Sequence, residues 1–215
     1  FEECHYKFYW DKVLFREMGA FAGWNMYGNF AFVMTTQGVN MLLNMFFGPA
    51  VNASRAIAVQ IQSAIMGFAT NFTMAINPQI VQNYAQERRE NMYRYVFWGA
   101  KFSFFLLLIL IVPVLLETEF LLKIWLKQIP DYSIVFVRLI LIQTLLWILH
   151  VPLHSAIHAS GKMKRYQLIT GTFSLLSIPF VYMILRLGGT PPSVFLVYIG
   201  TYFIYIFILL FILKD

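Results

Sequence analysis

Six long apolar runs dominate the sequence, and their length dictates the solvent in which the chain can fold. A helix rising about 1.5 Å per residue needs roughly 20 apolar residues to cross a hydrocarbon core of about 30 Å. Runs of that size recur from Met18 to Leu213. Hydrophobic residues make up 60% of the 215 positions and charged residues 12%, whereas a soluble domain carries about a quarter charged residues. A soluble fold has too little interior to hide such a surface. The expectation is an all-α polytopic membrane protein, with six transmembrane helices at about 18–46, 51–84, 95–116, 134–158, 166–187 and 193–213. These form one bundle, 18–215, after a cytoplasmic lead-in, 1–17.

Local signals set the breaks. Gly48-Pro49 separates the first two spans, and Gly188-Gly189 with Pro191-Pro192 turns the fifth into the sixth. Pro78, Pro113, Pro152 and Pro179 fall inside spans, where each removes a backbone donor and is expected to kink its helix. The only cysteine, Cys4, cannot form an intrachain disulfide. The chain opens on Phe1 rather than Met and shows no secretory leader, which reads as a fragment of a longer protein.

The net charge of +6 resides in short clusters between the spans, so it reports orientation rather than nucleic-acid binding. Lys7, Lys12 and Arg16 precede the first span. Arg88, Arg89, Arg94 and Lys101 surround the second connection, Lys162, Lys164 and Arg165 the fourth, and Lys214 follows the last. The opposite side has Lys123, Lys127 and Arg186, with Arg55 and Arg138 just inside span ends. By the positive-inside rule both termini face the cytoplasm. The connections are all short, which leaves no room for a soluble catalytic domain and points away from an enzyme; no cofactor or metal is expected.

Two spans carry polar residues that lipid would not tolerate. At about 100° per residue, Asn25, Asn29, Thr36, Asn40 and Asn44 form one stripe along the first span. Arg55, Gln62, Ser63, Thr70, Thr73 and Asn77 form another along the second. Such groups either hydrogen-bond across helix contacts, with Gly19, Gly23, Gly28 and Gly67 permitting close approach, or line a hydrated cavity. Their number favours the cavity, and amides suit sugar hydroxyls because they both donate and accept.

Arg55 and Arg138 each lie about a turn inside a span, where a cation either snorkels to the interface or faces a cavity and an anion. All ten carboxylates lie outside or at the edge of the spans, whereas ion-coupled pumps usually place one within the membrane. His150, His154 and His158 share a helical face at i, i+4 and i+8. A zinc site would need further ligands, and polar packing or proton sensing are the other readings.

The runs Gln37 to Asn44 (QGVNMLLN) and Phe46 to Arg55 (FFGPAVNASR) resemble polysaccharide flippases of the Wzx/PST type, in the multidrug/oligosaccharidyl-lipid/polysaccharide exporter superfamily. So do Asn77-Pro78-Gln79-Ile80, Lys101 to Phe105 (KFSFF) and Ala159 to Gln167 (ASGKMKRYQ). The resemblance implies a two-lobe transporter of twelve or fourteen helices around a central cationic cavity, with this chain as the C-terminal six-helix lobe. It also implies undecaprenyl-pyrophosphate-linked sugar units as cargo, in lipopolysaccharide or other polysaccharide biosynthesis at the bacterial inner membrane. The partners would then be the lipid-linked oligosaccharide, membrane lipids, and a missing N-terminal lobe or a second copy. Arg55 matches the arginine that follows the Gly-Pro-x-Val-Asn break. The candidate substrate-binding residues are therefore Arg55, Arg138, Asn25, Asn29, Asn40, Asn44, Gln62, Thr73 and Asn77. Two other functions stay open: a multidrug antiporter of the related MATE branch, and a membrane-embedded polysaccharide polymerase or acyltransferase.

Overall fold

The computed structural model describes residues 10–214, with helix and turn but no strand among them. Cys4, Lys7 and the rest of 1–9 lie outside the described residues. Helix α1 (Lys12–Phe47) starts where Asp11 caps it, Oδ1 accepting from the Val13 and Leu14 amides at 2.7 and 3.2 Å. Its first turn and a half falls in the segment that the sequence reading gave to the lead-in. Gly48 ends it at φ 83° and ψ 177°, a conformation open essentially to glycine alone. Pro49 then opens α2 (Pro49–Ala85), since its ring suits a first helical position. The helices that follow are α3 (Arg89–Leu116), α4 (Thr118–Trp125), α5 (Ser133–Ala159), α6 (Met163–Arg186) and α7 (Pro191–Lys214). The four internal prolines lie within helices that continue past them.

The short helix α4 is a departure from the six-span reading, which left 117–133 as a loop. Thr118 and Leu122 are buried against the bundle, while Phe120, Ile124 and Trp125 stay exposed. Lys123 lies 2.7 Å from Glu119 one turn away. That hydrogen bond, and then the ammonium charge, hold the exposed Glu119 carboxyl below its usual range.

Five helices are long and apolar enough to cross a membrane: α1, α3, α5, α6 and α7. Helix α2 is the longest, at 37 residues, yet it falls short in hydropathy because of the polar residues along it. The other helices turn large apolar side chains outward, among them Phe30, Ile109, Leu176 and Phe207. In lipid such exposure costs nothing, and burial between helices gains through close packing rather than escape from water.

Helix α5 is the axis of the bundle, packing against α2, α3 and α7, whereas α1 packs chiefly on α6. Leu43, Leu107, Ile111, Phe136, Leu141 and Ile148 fill the main core. Among the glycines offered as points of close approach, Gly28 alone serves: a Cβ there would meet the Gln167 side chain. Gly19, Gly23 and Gly67 face open space.

Candidate functional site

Helices α1 and α2 diverge from the Gly48 vertex, because α1 follows α6 while α2 follows α5. Between them, closed at the back by α7, lies a cavity of about 100 Å³, room for several water molecules. Thr35 and Thr36 line it from α1, Arg55 and Gln62 from α2, and Gln143 from α5. Helix α7 contributes Tyr198, Thr201, Tyr202 and Tyr205. With Phe195, the lining positions lie from about 6 to 21 Å along α7 from its start at Pro191, so the cavity reaches from one membrane face towards the midplane.

Among the described residues that line it, Arg55 is the only charged one. One guanidinium nitrogen, Nη1, donates to Asn40 Oδ1. Its Nε is buried without a hydrogen-bond partner. Leaving a buried donor unpaired costs about 1–3 kcal/mol, and more for a charged group. As a charged group among neutral polar lining residues, the Arg55 guanidinium suits an anion, since phosphate oxygens match its fork. Among the described residues no carboxylate lines the cavity.

The remaining polar groups hold the walls in place. Gln62 Nε2 donates to Thr144 Oγ1 at 2.9 Å, joining α2 to α5. The Tyr205 hydroxyl donates to the Thr170 carbonyl at 3.0 Å and lies 2.7 Å from Ser174 Oγ. Ser177 Oγ donates to the Tyr198 hydroxyl at 3.3 Å. Tyr198 and Tyr202 both line the cavity.

Of the residues proposed from sequence, Arg55, Asn40 and Gln62 come together here. The others do not. Thr73 is 4% exposed and its hydroxyl donates back to Ala69 O and Thr70 O. Asn77 Oδ1 accepts from Ser155 Oγ at 2.8 Å, a bond between α2 and α5. Asn25 donates to Phe21 O within its own helix. Asn29 and Asn44 are exposed on α1. Arg138 is exposed on the side of α5 where its charge acts on Glu119, not on the cavity. Helical periodicity found the polar faces but not which neighbour each one meets.

Sequence reading missed the α7 tyrosines, because tyrosine counts as apolar in a helix of Ile, Leu, Phe and Val. The signal was present: Tyr198, Thr201, Tyr202 and Tyr205 follow the i, i+3, i+4, i+7 pattern of one helix face.

The histidines lie towards the other end of α5. His150 and His154 stack at 5.8 Å between ring centroids and His154 and His158 lie at 5.9 Å, standing in file rather than converging. Tyr166 sits against the first two, its hydroxyl 3.1 Å from His150 Nε2. Among the described residues no group of three His, Cys, Asp or Glu side chains is placed to hold a metal ion.

Comparison with curated proteins and with solved structures finds no match to the chain. Residues 26–183, from within α1 to near the end of α6, match the MatE family. That span takes in the Gly48 vertex and Arg55, though not α7. With an all-helical membrane fold and most of its length inside this match, the chain belongs to the MatE family of transporters, within the multidrug/oligosaccharidyl-lipid/polysaccharide exporter superfamily.

Proposed function

We propose that the chain is the C-terminal lobe of a bacterial inner-membrane flippase that moves an oligosaccharide linked to undecaprenyl pyrophosphate across the bilayer, with Arg55 engaging the diphosphate. The observation that carries this reading is the charge of the cavity: among the described residues that line it, a single arginine stands amid amides and hydroxyls with no carboxylate. A diphosphate needs such a cation when it leaves water, and Gln143, Thr201 and the tyrosine hydroxyls suit sugar hydroxyls. A multidrug antiporter is the second reading, and the family match is common to both. A cationic drug would be repelled by Arg55, which favours the anionic cargo.

Helix α2 supports the presence of another lobe. Its exposed face carries Ala53, Ala56, Gln60, Ser63, Gly67 and Asn71 at helical spacing, with Phe68 and Met74 beside them, fewer large apolar side chains than α1, α3, α6 and α7 turn outward. Small residues permit close helix contact in membranes. The cationic clusters put both termini, and the connections α2–α3 and α5–α6, in the cytoplasm, so the Arg55 cavity opens towards the outer face.

The test is surface polysaccharide in a flippase-deficient strain complemented with full-length variants. Arg55→Ala should lose most export at normal membrane abundance. Arg55→Lys keeps the charge without the planar fork and should retain part of it. Normal export by Arg55→Ala would rule the phosphate role out, and drug sensitivity changing in its place would favour the antiporter.

A further inference from the structure

Two cavities flank α3 near the end of the bundle where the arginines gather, on the opposite side of the membrane from the opening beside Arg55. The first, of about 570 Å³, lies between α2 and α3. Its amides, Gln79, Gln82 and Gln86 from α2 and Asn91 from α3, recur at helical spacing on facing surfaces. Arg88 and Arg94 supply its charge. Glu87 and Glu90 belong to the same hairpin but do not line it, and among the described residues neither forms an ion pair with Arg88 or Arg94. Neither guanidinium is thus held in an ion pair by a carboxylate of the described residues.

The second cavity, of about 780 Å³, is an apolar groove walled by Phe97 and Phe104 of α3, Leu149 and Leu153 of α5 and Leu210 of α7. Lys101 lines it as well. Lys101 also joins the two, because its Nζ lies 5.4 Å from the ring centroid of Trp98, and Trp98 lines the polar cavity. A polar, cationic, amide-rich site thus continues, past a lysine, into an apolar groove that faces lipid.

The geometry points to a loading site for a lipid with a phosphate-bearing, hydroxyl-rich head: the head sits between α2 and α3, the phosphate beside Arg94 and Lys101, and the chain along α3, α5 and α7. The guanidiniums match phosphate oxygens, the amides match hydroxyls as donor and acceptor, and the groove keeps the chain in an apolar phase. This rests on the reading of the cargo as a lipid-linked sugar, and places its first contact at the cytoplasmic leaflet, apart from the Arg55 cavity.

The experiment uses the full-length protein in nanodiscs and a photoactivatable farnesyl diphosphate carrying one N-acetylglucosamine, with cross-linked peptides mapped by mass spectrometry. Cross-links should fall within 79–104. Arg94→Glu with Lys101→Glu should cut them by about tenfold or more, whereas Arg94→Lys should keep most. Soluble N-acetylglucosamine 1-phosphate should not displace the probe; full displacement by it would mean a head-only site and overturn the proposal. Full displacement by phosphatidylglycerol would equally overturn it, as a general anionic-lipid surface. Cross-links confined to peptides around Arg55 would overturn the loading site and leave the cavity reading intact. Cross-links at 79–104, together with normal export by Arg55→Ala, would keep this site and remove the role of Arg55.

Discussion

Thr73, Asn77 and Gln62 lie on one stripe of α2, yet their side chains do different things. Thr73 bonds back to its own helix, as hydroxyls commonly do in membrane helices. Asn77 ties α2 to α5 through Ser155, and such contacts are worth about 0.6–2 kcal/mol. Gln62 does both, gripping Thr144 and lining the cavity. This separation makes a labelling prediction. In a Cys4→Ser background, cysteines at Thr36 and Gln62 should react with a small impermeant thiol reagent on the order of tenfold faster than cysteines at Thr73 or Leu107, because thiol reactivity follows exposure. Thr73 and Leu107 are 4% and 0% exposed. Equal protection at all four would return Gln62 to a purely structural role. The polar stripes were legible from 100° spacing alone. Their division into cavity and contact was not, because it depends on α5 and α6, which lie far away in sequence.

At the level of elements, the Gly48 vertex sets the site. It stops α1, starts α2, and lets the two helices follow different partners, which opens the space that Arg55 lines while bonded to Asn40. Its φ of 83° with ψ of 177° makes any Cβ costly, by about 1–3 kcal/mol, although nothing lies within 4 Å of the position. Gly48→Ala should therefore lower unfolding stability by that amount in detergent, through backbone strain without any clash. Gly200→Ala is the control: that glycine is in mid-helix with nothing within 4 Å, and alanine there should be neutral or stabilising. Equal behaviour of the two variants would remove the vertex argument. The Gly-Pro break was plain from sequence, as were the long apolar spans. Helix α4 was not, since eight residues with both charges and large apolar side chains look like any interfacial loop until Thr118 and Leu122 are seen to be buried.

For the whole molecule, the surface divides by what it faces. Ile109 is 71% exposed and Phe207 60%, side chains at home in hydrocarbon. Helix α2 differs in degree: Ala56, Gln60, Ser63, Ala64, Gly67 and Asn71 are exposed along with Phe68 and Met74, and this composition keeps it short of the hydropathy of the other spans. A face of small and polar groups at membrane depth needs protein or water against it. If a second lobe closes on α2, a large side chain there meets packed atoms, and overpacking costs about 1–3 kcal/mol. Ala64→Trp in the full-length protein should then reduce transport, or thermal stability by that amount, at unchanged insertion. Ile109→Trp, on a lipid-facing surface of α3, should be tolerated, because lipid chains yield where a packed helix does not. Measuring export, membrane abundance and thermal unfolding for the two variants side by side separates the cases. If Ala64→Trp is as harmless as Ile109→Trp, α2 faces lipid or open water, and the closing lobe must be sought on another face of the bundle.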